Sequence, residues 1–149
     1  MIKKLFATDN SLSGTFLRAA LGAVMFPHGA QKLLGLFGGQ GFNASMKMFE
    51  TNFHVPVYLA LAAILAESVG SVALIAGFFT RLAGLAIAVD MAVAVCLVHW
   101  KNGFFMNWMG TQKGEGFEYH ILAIAIGLAL AIMGGGRWSV DRALAGGKK

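Results

Sequence analysis

Four long apolar stretches divide the chain. They run from about Ser13 to Leu36, Pro56 to Phe79, Leu82 to Trp100 and Glu118 to Met133. A helix needs roughly 20 residues, within a range of about 17–25, to cross the hydrocarbon of a bilayer. The second and third stretches meet that length. The fourth meets it only if Gly134, Gly135 and Gly136 lie inside the membrane edge, giving a span of about 118–136. The first is interrupted by Arg18, His28 and Lys32, and Pro27 should kink it. Lys3 and Lys4 resemble the start of a signal peptide, but the polar run from Thr8 to Ser13 and then Arg18 break any apolar core, so the stretch reads as a retained helix. The turn at Thr80–Arg81 is so short that the second and third helices form a tight antiparallel pair, and Asn43 to Asn52 reads as a short surface helix. The fold class expected is therefore all-α: an integral membrane four-helix bundle, in one domain.

Composition agrees. Residues of the AVILMFWYC set make up 57% of the 149 positions before the 20 Gly are added, and mean hydropathy is +0.67. Soluble domains reach about 45–50% with glycine included. One cysteine, Cys96, excludes an intrachain disulfide and CxxC redox chemistry, and reads as a buried, inert small hydrophobe. The net charge of +5 includes no dense Lys/Arg cluster, so no nucleic-acid partner is expected. The basic residues instead orient the chain. Lys3, Lys4, Arg81, Arg137, Arg142, Lys148 and Lys149 fall on the side of the termini, against Lys47, Lys101 and Lys113 on the other, which predicts both termini cytoplasmic in a multi-pass protein of a bacterial inner membrane. No internal repeat is present. The Gly-rich loop at 37–42 follows no strand and is not a phosphate cradle; Asn43-Ala44-Ser45 is a chance-level sequon.

The informative residues are the polar ones where lipid should be, since an ionisable group at mid-membrane costs about 2.5–3.5 kcal/mol on insertion scales. Glu67 falls near the middle of the second span. His28, Gln31 and Lys32 stand at i, i+3 and i+4 and share one helix face, so a Glu67 contact with His28 or Gln31 is expected. Arg18 and Asp90 agree in depth and form a candidate structural ion pair, with Asp141 or the membrane surface as other destinations for Arg18. His99 ends the third span, and Glu118 and His120 begin the fourth, all at the outer face. Asp90 and His99 are nine residues apart, about 180° around an ideal helix, and should serve different faces. Small residues at Ala60, Ala63, Gly70, Ser71 and Gly77, with Gly22 and Gly29 on the first helix, predict close packing of the first two spans.

A polar pocket near the outer interface, walled by Trp100, Phe104, Phe105 and Trp108, would suit a quinone ring: apolar walls, a few donors and access from lipid. The same aromatics would also serve as interface anchors. A metal or a haem held by the histidines is an alternative without motif support, as no HExxH, iron–sulfur, flavin or c-type haem pattern occurs.

The chain resembles the DoxX family of small four-helix membrane proteins. The residues that carry the likeness are Arg18 with Leu21-Gly22, the block His28-Gly29-Ala30-Gln31-Lys32-Leu33, Phe37-Gly38-Gly39, Glu67 with Gly70, Gly77 with Thr80-Arg81, Glu118, and Gly136 with Ser139-Val140-Asp141. The resemblance covers nearly the whole chain, as a single DoxX-like membrane domain over 1–149. It implies quinone-coupled electron transfer. The family's namesake looks like a small subunit of a thiosulfate:quinone oxidoreductase, and bacterial relatives are similar to components tied to thiol or oxidative stress, some assembled with superoxide dismutase or a sulfurtransferase.

The expected function is thus an inner-membrane subunit of quinone-linked redox chemistry. Ligand-binding candidates are His28, Gln31, Lys32 and the four aromatics. Glu67, His99, Glu118 and His120 are the candidate catalytic proton carriers. A soluble or membrane redox partner must supply electrons, and a homo-oligomer is left open. The rival is a noncatalytic membrane scaffold for soluble redox proteins. A transporter is disfavoured, because no broken-helix pair or inverted repeat is visible.

Overall fold

The computed structural model describes residues 5–146, so Lys3, Lys4, Lys148 and Lys149 of the charge-bias argument lie outside the described residues. All regular structure among the described residues is helical. Six α-helices follow one another: α1 (Leu12–Leu34), α2 (Phe42–Phe53), α3 (Val57–Ala76), α4 (Thr80–Ala94), α5 (Glu118–Met133) and α6 (Val140–Leu144). A π-helical turn, Val95–His99, and a 3₁₀ turn, Trp100–Asn102, extend α4. Val57–Ala76 and the continuous helix Thr80–Asn102 are long and apolar enough to cross a membrane; Glu118–Met133 is apolar but shorter. α1 is an unbroken helix through Pro27, capped by the Ser11 side chain on the amide of Gly14. The short surface helix expected at 43–52 is α2. α5 stops at Met133, because Gly134 takes φ +83°, so the glycines at 134–136 leave the helix rather than lengthening it.

α1 packs along α3, and α4 along α5, with α3 and α4 joined by the turn Gly77–Phe79. The close approach rests on small residues. A Cβ built on Gly29 would lie 2.5 Å from the backbone of Glu67 and Ser68, and one on Gly22 would lie 2.8 Å from the carbonyl oxygen of Ser71. This bears out the close packing expected of the first two spans. The second seam, where Gly84 and Gly127 lie each against the other's carbonyl, was not anticipated. The interior holds Leu21, Met25, Leu74, Ile87 and Leu130, while large aliphatics point outward along the long helices: Val69, Val72, Leu82, Val89, Leu122 and Ile132 are all exposed. Small residues at the helix seams and many large apolar ones on the outer faces are the arrangement a lipid solvent allows.

The end of the molecule that carries the α3–α4 turn, here the turn end, is closed by Arg18. Its guanidinium is 4% exposed and does not reach Asp90. Nε donates to the carbonyl of Gly135 (2.8 Å), Nη1 to those of Leu74 (3.0 Å) and Ile75 (2.5 Å), and Nη2 to that of Trp138 (2.6 Å). The expected Arg18–Asp90 pair is thereby corrected. Depth matched, but carbonyls at the end of α3 and in the loop after α5 lie within reach of the fork and take it up instead. Asp141, the other candidate partner, lies close enough to feel the Arg18 charge. Its two carboxylate oxygens accept from the amides of Phe79 (2.7 Å) and Thr80 (2.8 Å), at the positive end of α4.

Arg18→Lys keeps the charge but cannot fork to four carbonyls. It should cost about 2–3 kcal/mol, read as a lowered unfolding temperature in detergent. Exchanging the residues at 18 and 90 should rescue neither single reversal. Gly29→Ala should cost about 1–3 kcal/mol by prising α1 from α3.

Candidate functional site

Three helices bring ionisable side chains together. Lys32, one turn before the end of α1, donates to Glu67 Oε2 at 2.5 Å. The Lys32 side chain is 24% exposed and that of Glu67 7%. The carboxyl of Asp90, from α4, faces the same space and lies within electrostatic reach of Glu67 and Lys32. Its oxygen Oδ2 is buried and has no hydrogen-bond partner among the described residues. An ammonium and two carboxyl groups therefore occupy one site between α1, α3 and α4.

The contact expected between Glu67 and His28 or Gln31 is corrected to Lys32. The flexible four-carbon stem lets a residue further toward the helix end reach back to the carboxylate. Gln31 serves its own loop instead: its Nε2 donates to the carbonyl of Phe37 at 3.0 Å, and its backbone carbonyl accepts from Gly41.

A cavity of about 960 Å³ joins this trio to the histidines. Its polar lining includes His28, Lys32, Glu67, Asp90, His99, Glu115, Tyr119 and His120. The rings of His99 and His120 are 4.0 Å apart, and those of His28 and Tyr119 6.4 Å. His99 Nδ1 lies 2.8 Å from the carbonyl oxygen of Glu115, while His120 Nδ1 is buried and unpartnered among the described residues. Tyr119 Oη donates to the sulfur of Met25. The three imidazoles at 28, 99 and 120 thus face one space.

Asp90 and His99 share that space, although ideal helical rotation puts them on opposite faces. The π-turn at Val95–His99 is the reason. Its wider i→i+5 winding rotates less per residue, which turns His99 back toward the face of Asp90.

The rest of the lining is apolar. Leu59, Ala62, Ala63 and Ala66 of α3 face Leu82, Leu85, Ala86, Val89, Val93 and Leu97 of the α4 helix across a groove, and Phe49 and Phe53 of α2, with His54 after them, also line it. Several of these groove residues are also exposed on the outer surface, among them Leu59, Leu82, Val89 and Leu97, so the groove opens sideways. The wall expected from Trp100, Phe104, Phe105 and Trp108 is therefore supplied by other residues. Trp100 stacks on Phe117 at 5.3 Å, Phe104 meets the edges of Phe105 and Phe117, and Trp108 is 84% exposed. These aromatics follow the loop after α4, which folds over its own backbone rather than over the helices.

Glu118 holds that loop. Its Oε1 accepts from the amide of Met106 (3.0 Å) and from Trp108 Nε1 (3.2 Å), outside the cavity lining. Cys96 is exposed rather than buried, on the π-turn. Among the described residues no group of three or more His, Cys, Asp or Glu has the geometry of a metal site. The polar lining residues that sequence reasoning missed are His54, Glu115 and Tyr119. A lone histidine and a loop carboxylate carry no spacing signal, and only the fold brings them to the cavity.

Lys32→Met should leave a buried carboxylate without its cation and cost about 3 kcal/mol. The double substitution Lys32→Met with Glu67→Leu should recover most of that loss, since an apolar pair of similar volume replaces a buried ion pair at little cost. Thermal unfolding of the four proteins of this cycle in one detergent measures the coupling.

The DoxX family model matches residues 14–100, a segment that holds Arg18, His28, Lys32, Glu67, Asp90 and His99. A relative from Bacillus subtilis (strain 168), named "Putative oxidoreductase CatD", is 30% identical over 114 residues, or 76% of this chain and 75% of the relative. No solved structure matches the chain. With the family segment covering all three helices that build the Lys32–Glu67–Asp90 site, the chain belongs to the DoxX family.

Proposed function

We propose that the protein is a membrane subunit of quinone-linked redox chemistry, related to thiol, sulfur or oxidative-stress metabolism, and that the cavity receives a quinone head group. The reading places α1, α3, the α4 helix and α5 across a bacterial inner membrane as a four-helix bundle, with both termini cytoplasmic and the His99–His120 end toward the outer face. One observation carries it: a single cavity combines a polar end with an apolar lateral groove between α3 and α4. A quinone has the same two-part chemistry, two carbonyl oxygens on a ring and an isoprenoid tail that must stay in lipid.

The residues fit in the following way. His120, whose Nδ1 is buried and unpartnered, and His28 are the donors to the ring oxygens. Lys32 is spent on Glu67 and sets the positive field at the polar end. Glu67 and Asp90 line the polar end beside the head group, where Glu67 is a proton carrier, and His99 passes protons toward the Glu115 side of the cavity mouth. Glu118 positions the loop that covers this mouth. A quinone supplies a two-electron, two-proton couple when bound. The electrons come from a soluble or membrane redox partner.

A second reading, a noncatalytic scaffold for soluble redox proteins, draws on the loop after α4. There Trp108 and Met109 are 84% and 88% exposed and available to a partner.

Solvent extraction of the purified protein, followed by chromatography, should recover quinone. Added ubiquinone or menaquinone should raise the unfolding temperature. His28→Ala and His120→Ala should weaken that shift at least about 10-fold in half-saturating concentration, the loss of one to two hydrogen bonds in a desolvated site. A quinone-free, colourless protein whose stability no quinone changes would favour the scaffold.

A further inference from the structure

We propose that Tyr119 is a ligand-binding residue of the cavity: when the quinone arrives, its hydroxyl leaves the sulfur of Met25 and donates to a ring carbonyl oxygen. The proposal rests on the quinone reading of the cavity and adds a third donor to His28 and His120. Each carbonyl oxygen has two lone pairs, so one head group can accept from all three.

Tyr119 is the second residue of α5, where that helix meets the polar end of the cavity. Its ring lies 5.5 Å from that of His120, edge to face, and 6.4 Å from that of His28. Tyr119 and Met25 both line the cavity. The phenol thus stands beside both imidazoles assigned to the head group, on the same wall as His120.

The resting partner of the hydroxyl is what makes it exchangeable. It donates to Met25 Sδ at 3.3 Å, and a thioether sulfur is a weak acceptor. Lys32 and His99 are held by oxygen instead, the first by the carboxylate of Glu67 and the second by the carbonyl of Glu115. Moving either of those to a ligand oxygen replaces one strong bond with another. Moving the phenol from sulfur to a carbonyl oxygen is a net gain. Met25 loses little in return. It is 1% exposed and belongs to the apolar core with Leu21, Leu74 and Ile87, surroundings that a thioether tolerates without a donor. The hydroxyl hydrogen turns about its C–O bond, so the change of partner needs no movement of the backbone.

The test uses the full chain in detergent. It holds two tyrosines, and Tyr58 is 70% exposed and outside the cavity lining. Fluorotyrosine incorporation therefore gives a Tyr119 signal by fluorine NMR with Tyr58 as its internal control. Added ubiquinone should move the Tyr119 signal and leave that of Tyr58 in place. Squalene, an isoprenoid without ring carbonyls, should move it far less; an equal movement would overturn the hydrogen bond. Tyr119→Phe should raise the half-saturating quinone concentration about 3- to 10-fold. It should also shift the carbonyl stretching band of bound quinone to higher frequency. Met25→Leu, which keeps the volume and removes the sulfur, should bind quinone at least as well as the unaltered chain. An unchanged affinity and carbonyl band in Tyr119→Phe would overturn the role of Tyr119 and leave the quinone reading standing. Equal weakening in Met25→Leu and Tyr119→Phe would assign the pair to packing and overturn it as well. No quinone binding by the unaltered chain would overturn the reading itself, and the inference with it. If Tyr119→Phe fails to fold, the fluorine signals and Met25→Leu decide the question.

Discussion

The arrangement depends on one constraint: charged groups inside an apolar protein must be partnered. Lys32, Glu67 and Asp90 come from three different helices, with Glu67 buried and Lys32 only partly exposed. Their proximity ties α1, α3 and α4 into one rotational setting, because turning any of the three exposes an ionised group to apolar surroundings. The cavity grows from that setting. Its polar end is the place where the trio, the imidazoles and Tyr119 meet.

The distribution of side-chain size complements this. Glycine and serine at the α1–α3 seam and paired glycines at the α4–α5 seam draw the helices together two by two. Between α3 and α4 the facing residues are alanines on one side and branched aliphatics on the other, and the helices stand apart. Two tight seams and one loose one produce a lateral opening toward the surroundings, with a polar end inside.

The two ends of the molecule use polar groups differently. At the turn end, Arg18 and Asp141 satisfy backbone groups left over where helices stop, and their chemistry is spent on architecture. Buried side-chain atoms without a hydrogen-bond partner among the described residues occur on both sides: Thr15 Oγ1 and Thr80 Oγ1 at the turn end, and His120 Nδ1 and Asp90 Oδ2 in residues that line the cavity. Leaving such atoms open costs stability.

The sequence by itself determined the helical class, the four long apolar segments, the surface helix after the Gly-rich loop and the small-residue seam between α1 and α3. These follow from composition and local periodicity. It also marked His28, Lys32, Glu67, Asp90, His99 and His120 as residues that need a reason. It did not determine who meets whom. Arg18 and Asp90 matched in depth, yet the guanidinium went to carbonyls that only helix ends and a returning loop could offer. Gln31 shared a face with Lys32, yet only the longer side chain reached Glu67. His99 was assigned to the wrong face because a π-turn, invisible to a 3.6-residue period, rewound the end of α4. The aromatic wall moved because loop backbone, not helix spacing, carries Phe104, Phe105 and Trp108. Depth and face are one-dimensional quantities, readable along a chain. Partner choice depends on which helices are neighbours, how far each side chain extends and which backbone groups lie unsatisfied nearby, and these are set only when the tertiary structure forms.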